Sequence, residues 1–278
     1  MTPTSLTKSS QSAEREAAEA LRRTKRLVVL TGAGISKESG IPTFRDLPSG
    51  RDAQTGLWEK FNAEDLATRE GFLSNPKMVW DWYDFRRNKI WGGNPNSDEG
   101  AKPNPGHIAI AELEKRVPQF TLVTQNIDNL HATAGNQNIL ELHGNIFRYK
   151  CLEKNHPLTL EDFAEQTESP PRCRRCQSEN RTSPVRPDVV WFGEMLPADI
   201  LDAAFHAASL CDVMLVVGTS GVVHPAAAIP VMAQRAGATM IEVNPEPSQL
   251  TDAVIDIFLQ GPSGEILPRL LQLMETDS

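Results

Sequence analysis

Three groups of residues in this chain combine side chains able to do chemistry. In "TQNIDNLH" (124–131), Gln125, Asn126 and Asp128 set two amides and a carboxylate directly behind an apolar run. Such groups hold a polar ligand by hydrogen bonds, and they serve equally as caps of a strand-to-helix turn. In "LELHGNI" (140–146), His143 stands beside Gly144. An imidazole, with an ordinary pKa of about 6.5, is largely neutral near pH 7 and accepts a proton there. A lone histidine is also a common structural residue. The third group is Cys151, Cys173 and Cys176. The Cys173–Cys176 spacing is that of a zinc knuckle, and tetrahedral zinc asks for a fourth ligand. His156 is the nearest candidate; a ligand from elsewhere or a metal-free module are the alternatives.

Two further patterns concern phosphates and carboxylates. "LVVLTGAGISKESGIPTFRD" (27–46) runs an apolar segment into Gly32-Ala33-Gly34. Glycines at that place let a backbone approach a pyrophosphate seated on the following amides. The third glycine of the G-x-G-x-x-G pattern is missing, because position 37 is Lys. A purely structural tight turn therefore fits the pair as well. In "VWDWYDFRR", Tyr83 and Arg86 are three residues apart and share a helix face. An Arg fork with a phenol beside it suits a carboxylate, and a solvated helix face is the plainer reading.

These residues need elements to position them. "RLVVLTG" (26–32), "FTLVTQN" (120–126), "VMLVVGTS" (213–220) and "TMIEVNP" (239–245) read as buried strands, with "VIDIFLQG" (254–261) as a weaker fifth. Helical patterns fall near 106–116, 198–210, 225–236 and 264–275, and an amphipathic helix near 12–26. Continuous apolar strands alternating with helices predict a parallel sheet covered on both faces. On that plan four strand ends carry hydrogen-bonding side chains: Gln125–Asp128, His143 beside Gly144, Gly218-Thr219-Ser220 and Asn244 to Glu246. Residues 47–105 and 147–187 break the alternation and read as a helical insert and a zinc-binding insert forming a smaller lobe. Residues 1–46, 106–146 and 188–278 then form the Rossmann-like domain, with a binding cleft between the lobes.

Composition narrows the function classes. A 40% hydrophobic content supports a full core, and the net charge of −8 lacks the basic footprint of a nucleic-acid binder. No apolar run is long enough to cross a bilayer. The N-terminus has no secretory-type apolar stretch, and Glu14, Glu16 and Glu19 interrupt any transit-peptide pattern. The expectation is an intracellular protein, mitochondrial or cytosolic ahead of nuclear, and a monomer. Cys211, in "LCDVMLVVG", is expected to be a buried thiol.

Taken in order, "GAGISKESGIPTFRD", "TQNIDNLH", "ELHGN", "VVWFGE" and "GTSGVVHPAAAIP" resemble the motif series of the sirtuins, NAD-dependent protein-lysine deacylases. The resemblance runs from about residue 20 to 275. It implies a Rossmann-like domain with a small zinc-and-helix module, and NAD consumed as co-substrate. Gly32, Ala33, Gly34, Gly218, Thr219, Ser220, Asn244, Glu246 and Ser263 would contact the cofactor. Asn126 and Asp128 would hold its nicotinamide end, with Ile127 closing the pocket and Gln125 on ribose. Thr43, Phe44 and Arg45 would belong to a loop covering it, Phe44 shielding the reactive centre from water. His143 would be the general base, with Asn126 as its catalytic companion. The products would be nicotinamide, O-acyl-ADP-ribose and free lysine. Val190, Trp191, Phe192, Gly193 and Glu194 resemble the strand that pairs with an acyl-lysine peptide by β-augmentation.

Tyr83 and Arg86 resemble the Y-x-x-R of the class III branch, which removes succinyl, malonyl and glutaryl groups, and Ala67 matches its small pocket residue. One departure concerns the metal. The family pattern has a second C-x-x-C upstream, whereas Lys154 follows Cys151 at that spacing, so Cys151, Cys173 and Cys176 with His156 are the expected zinc ligands. Mono-ADP-ribosyl transfer, a broad acetyl or crotonyl deacylase, and a non-enzymatic NAD or ADP-ribose sensor are the competing functions.

Overall fold

Strand β1 (Arg26–Thr31) shows why these apolar runs are continuous. Leu27 and Val29 enter one hydrophobic cluster, while Val28 and Leu30 enter another on the opposite face. Both faces of a strand can be buried only when the sheet is covered twice. The computed structural model describes residues 10–42, 66–92, 99–179 and 181–276. Within them, β1 pairs in parallel with β2 (Gln119–Thr124) and with the later strand at Val213–Val217. The first face is covered by α1 (Ser10–Arg23), by the helix Pro105–Arg116 and by the C-terminal helix Ser263–Thr276. The second is covered by the helices Ala198–Leu210 and Ala228–Arg235.

Named in chain order, the remaining helices are α2 (Ala33–Lys37), α3 (Arg69–Ser74), α4 (Pro76–Trp91), α5 (Pro105–Arg116), α6 (Leu130–Ala134), α7 (Arg174–Ser178), α8 (Ala198–Leu210), α9 (Ala228–Arg235), α10 (Thr251–Val254) and α11 (Ser263–Thr276). The remaining strands are β3 (Ile139–Glu141), β4 (Gly144–Cys151), β5 (Pro157–Leu158), β6 (Val185–Val189), β7 (Val213–Val217), β8 (Thr239–Asn244) and β9 (Ile257–Gln260). The six-stranded parallel sheet has the order β3-β2-β1-β7-β8-β9. It grows outward in one direction from β1 and in the other from β7. That reversal opens the crevice where parallel α/β sheets bind ligands. The expected α/β architecture is present, with strand ends trimmed: β2 stops at Thr124 and β7 at Val217.

The smaller lobe joins two separated stretches. Leu66, Ala67, Phe72, Val79, Trp82, Tyr83 and Ile90 share one cluster with Ile146, Leu152, Val189 and Trp191. Helix α4 is set by Asn75, whose side chain accepts from the Met78 amide, by Pro76 in its first turn, and by Gly92 at φ +65° past its end. A three-stranded antiparallel sheet, β5-β4-β6, carries the cysteine module. It extends past the expected insert boundaries on both sides, from Gly144 to Val189.

Candidate active site

The glycine turn after β1 is built against the turn after β7. A Cβ on Gly34 would lie 2.7 Å from the Gly218 Cα and carbonyl oxygen, and one on Gly218 would lie 2.5 Å from the Ile35 nitrogen. Gly218 also sits at φ +58°, where a side chain is strained. The Gly34 amide donates to the Gly218 carbonyl at 2.8 Å, and the Gly32 amide to Val217 at 3.1 Å. The two glycines thus serve the approach of two strand ends, and only Ala33 lies between their committed amides. This gives the pair the structural role that the sequence left open beside the pyrophosphate one. It also explains Lys37: α2 is a single short turn and ends there, so no third glycine is needed to pack a long helix on the sheet.

The turn after β2 meets this seat. The Asn126 side-chain amide donates to the Gly32 carbonyl at 3.1 Å and to Ser36 Oγ at 3.0 Å. Ser36 Oγ in turn donates to Asp128 Oδ2 at 2.7 Å, and the Leu130 amide caps Oδ1 at 2.9 Å. Burial pushes the Asp128 carboxyl up, opposed by Ser36, the Leu130 amide and the Arg86 charge. Gln125 Nε2 donates to Thr219 Oγ1 at 3.0 Å, and Asn244 Nδ2 to the Thr219 carbonyl at 2.9 Å. His143, half-buried, lies at 2.9 Å through Nδ1 from the Gln125 carbonyl. A carbonyl only accepts, so Nδ1 carries the proton and Nε2 is the basic nitrogen. Burial lowers its pKa, and the Gln125 carbonyl opposes that.

The structure therefore brings Gly32, Ala33, Gly34, Gln125, Asn126, Asp128, His143, Gly218, Thr219 and Asn244 to one edge. Ile127 is half-buried and packs on the small-lobe cluster. Ser220 is half-buried in the turn, and Glu246 is exposed beyond Asn244. Ser263 is buried, and both its amide and its hydroxyl donate to Glu38, which caps α11. Its hydroxyl proton goes to Glu38. Thr43, Phe44 and Arg45 lie outside the described residues. Between the lobes, Asp128 borders a cavity of about 610 Å³ whose walls include Trp91, Lys102, Ile108 and Thr133.

Sequence reasoning missed the supporting hydroxyls. Thr31 Oγ1 lies 2.8 Å from Thr124 Oγ1 and 3.0 Å from His131 Nε2, and Thr124 accepts from the Asn126 amide at 3.1 Å. Ser36 is equally unannounced. Serines and threonines are frequent, and only their facing partners single them out.

The acyl-side residues cluster in the small lobe. Tyr83 and Ala67 are buried, and the Tyr83 oxygen accepts from Trp191 Nε1 at 3.0 Å. Burial raises the phenol to about 12, so it stays protonated. Arg86 is half-buried, with its guanidinium carbon 5.0 Å from the Trp82 ring centre. Its pKa is lowered by burial and supported by Tyr83 and Asp128. The stretch 190–194 is a turn rather than the expected strand. The Val190 amide donates to the His143 carbonyl, the Phe192 amide to Ala67, and the Trp191 amide to Glu194 Oε2. Gly193 takes φ +83° within it, and Phe192 is 48% exposed. Glu194 is ion-paired to the buried Arg186.

Cys151, His156, Cys173 and Cys176 present four ligand atoms within 4.8 Å of one another. Cys151 and Cys176 sulfurs are 3.5 Å apart, and Cys173 Sγ is 3.7 Å from His156 Nδ1. Tetrahedral zinc with sulfur at about 2.3 Å separates its ligands by roughly 3.8 Å. Burial first, then the neighbouring thiols, pushes the Cys176 thiol up to about 12. Three sulfurs and an imidazole nitrogen converging this closely make a tetrahedral donor set, so the residues present fit zinc. Asn155, at φ +52°, turns the chain so that His156 returns to Cys151, whose amide donates to the His156 carbonyl. This hairpin supplies by a longer loop what a second C-x-x-C would give. Cys211 is buried in the sheet domain, apart from the other three.

Comparison with known proteins agrees with this arrangement. The Sir2 family model matches residues 32–225. An NAD-dependent protein deacylase of Pyrococcus abyssi is 48% identical over 260 residues, covering 92% of this chain and 96% of that protein. A solved Sir2 homologue–NAD complex is 39% identical with a TM-score of 0.79, covering 94% of each chain. Sir2Af2 bound to a myristoylated histone peptide is 36% identical with a TM-score of 0.69, covering 95% of this chain and 97% of that one. A matched model over most of the length, relatives near half identity and a shared fold around the same crevice lead to one conclusion: the chain belongs to the Sir2 family, the sirtuins, and is an NAD-dependent protein deacylase.

Proposed function

We propose that this deacylase acts on acyl-lysine side chains of proteins and favours acyl groups that end in a carboxylate, such as succinyl, malonyl and glutaryl. One observation carries the preference. Tyr83 and Arg86 stand on one face of α4, a buried phenol and a half-buried guanidinium, and the Arg86 charge lies close enough to act on both Tyr83 and Asp128. A fixed guanidinium fork with a protonated phenol is a directional receptor for a carboxylate. Ala67, in the same cluster, is the small residue that the resemblance to the acidic-acyl branch implies.

The roles at the reaction centre are those that the sirtuin resemblance implies, and the strand-end geometry is compatible with them. NAD supplies the electrophilic ribose carbon and the nicotinamide leaving group. Asn126 and Asp128, cross-tied through Ser36, hold the nicotinamide end. Gln125, braced on Thr219, orients ribose. His143, with Nδ1 committed to the Gln125 carbonyl, takes a proton from a ribose hydroxyl at Nε2. Cys151, His156, Cys173 and Cys176 hold a structural zinc ion away from these groups.

A broad deacylase is the competing reading, favoured by the apolar company of Tyr83, including Phe72, Trp82 and Trp191. Parallel kcat/KM values on succinyl- and acetyl-lysine peptides separate the two. Arg86→Met is expected to cost about 2 kcal/mol or more on the succinyl substrate, the scale of a lost charge contact, and little on the acetyl one. Equal losses on both would refute a carboxylate-reading role.

A further inference from the structure

The Trp191–Tyr83 contact points to a second determinant of acyl choice, one that rests on the carboxylate reading above. A phenol offers one proton and accepts through its oxygen, whereas an indole N–H only donates. The 3.0 Å bond from Trp191 Nε1 therefore occupies the Tyr83 oxygen as an acceptor and leaves the hydroxyl proton as what it has to give. Donation into that oxygen also strengthens the outgoing O–H donor, since linked hydrogen bonds polarise one another.

Trp191 is itself held from several directions. It is 1% exposed, its ring lies 3.2 Å from the Arg186 guanidinium carbon, and its ring centre is 5.2 Å from that of Phe72. Arg186 pairs with Glu194, at 3.0 Å between Nη2 and Oε2, and that same oxygen accepts from the Trp191 amide. Arg186 Nη2 also donates to the Val189 carbonyl at 2.8 Å. The turn 190–194 thus fixes one indole, and the indole reaches across to α4.

We propose that Trp191 is a specificity-positioning residue: its indole N–H fixes the Tyr83 hydroxyl as a donor toward the acceptor end of an acidic acyl group. Trp191 does not touch the substrate in this role; it acts through Tyr83.

Trp191→Phe keeps an aromatic ring on Arg186 and removes the N–H. The expected result is a fall of roughly tenfold in kcat/KM on a succinyl-lysine peptide, the effect of one hydrogen bond, with the acetyl-lysine value within about twofold. Tyr83→Phe should discriminate in the same direction. The double variant should lose no more than Tyr83→Phe alone, because the N–H then has no phenol to act on. If Tyr83→Phe and Arg86→Met lower both substrates alike, the carboxylate reading fails. If those two discriminate while Trp191→Phe lowers both substrates equally, or adds its full loss in the double variant, the Trp191 role fails and the reading stands. Should Trp191→Phe not fold, the wild-type protein labelled with ¹⁵N-tryptophan gives the answer. The Trp191 Nε1–H resonance should move when the succinyl peptide binds and stay when the acetyl peptide does; no movement with either overturns the proposal.

Discussion

His143 meets the Gln125 carbonyl through Nδ1, and one tautomer alone permits that contact. Burial then holds the imidazole below its ordinary pKa. A base of this kind stays neutral to lower pH, so the acid limb of kcat/KM is expected below the usual histidine value of about 6.5. A pH profile on a fixed acyl peptide measures it; a limb at or above that value would remove His143 as the titrating base. Asn126, Asp128 and His143 were legible in the sequence because polar side chains directly behind apolar strands stand out. Ser36, Thr31 and Thr124 were not, because a hydroxyl becomes significant only when a partner from a distant strand faces it. Ser263, named from the resemblance, also donates to Glu38, a contact 225 residues away that no local pattern announces.

At the scale of elements, the β4–β5 hairpin decides the fourth metal ligand. Tyr149 pairs with Leu158 and Lys150 with Pro157, so Cys151 and His156 lie at the two ends of one loop. The histidine was visible as a nearby candidate, but its return depended on a left-handed Asn155 that spacing does not reveal. His156→Ala is expected to lower the zinc content of the purified protein and to reduce Tm by about 3 °C or more, the shift that roughly 1 kcal/mol produces in a chain of this size. Metal analysis beside a melting curve checks both; full zinc retention would take His156 out of the ligand set. The strands show the same limit of the linear pattern. Apolar composition located β7, yet its end at Val217 is set by Gly218 turning to φ +58° against the α2 backbone.

At the scale of the whole molecule, the sheet domain carries one source of acid sensitivity. His107 and His131 are buried, their ring centres 4.8 Å apart. Burial pushes His107 down to about 4 and His131 well below its ordinary value. Unfolded, both would titrate near 6.5, so between that pH and about 4 the unfolded chain binds more protons than the folded one. Stability is therefore fully present above about pH 6.5 and is lost as pH falls through that window, by up to roughly 1.4 kcal/mol per pH unit for each histidine. Urea midpoints at pH 7.5, 6 and 5 test this, with His107→Gln expected to flatten the slope; a midpoint constant across the range would refute it. The parallel sheet itself was legible from its two-faced apolar runs. Its order around β1 and β7 was not, because strand neighbours are chosen by packing across the fold.

Thr219 gathers the site's architecture into one position. Gln125 arrives from β2, Asn244 from β8, and its Cβ would stand 2.8 Å from a Cβ on Gly32 at the end of β1. A change there would be felt across four strands at once, whereas Ala67, Tyr83 and Trp191 pack in the small-lobe cluster, which meets the site through Ile127. Residues are coupled in both places, but Thr219 is where the strand ends are tied to one another. For directed evolution, attempts to exchange the co-substrate must therefore change several strand ends together.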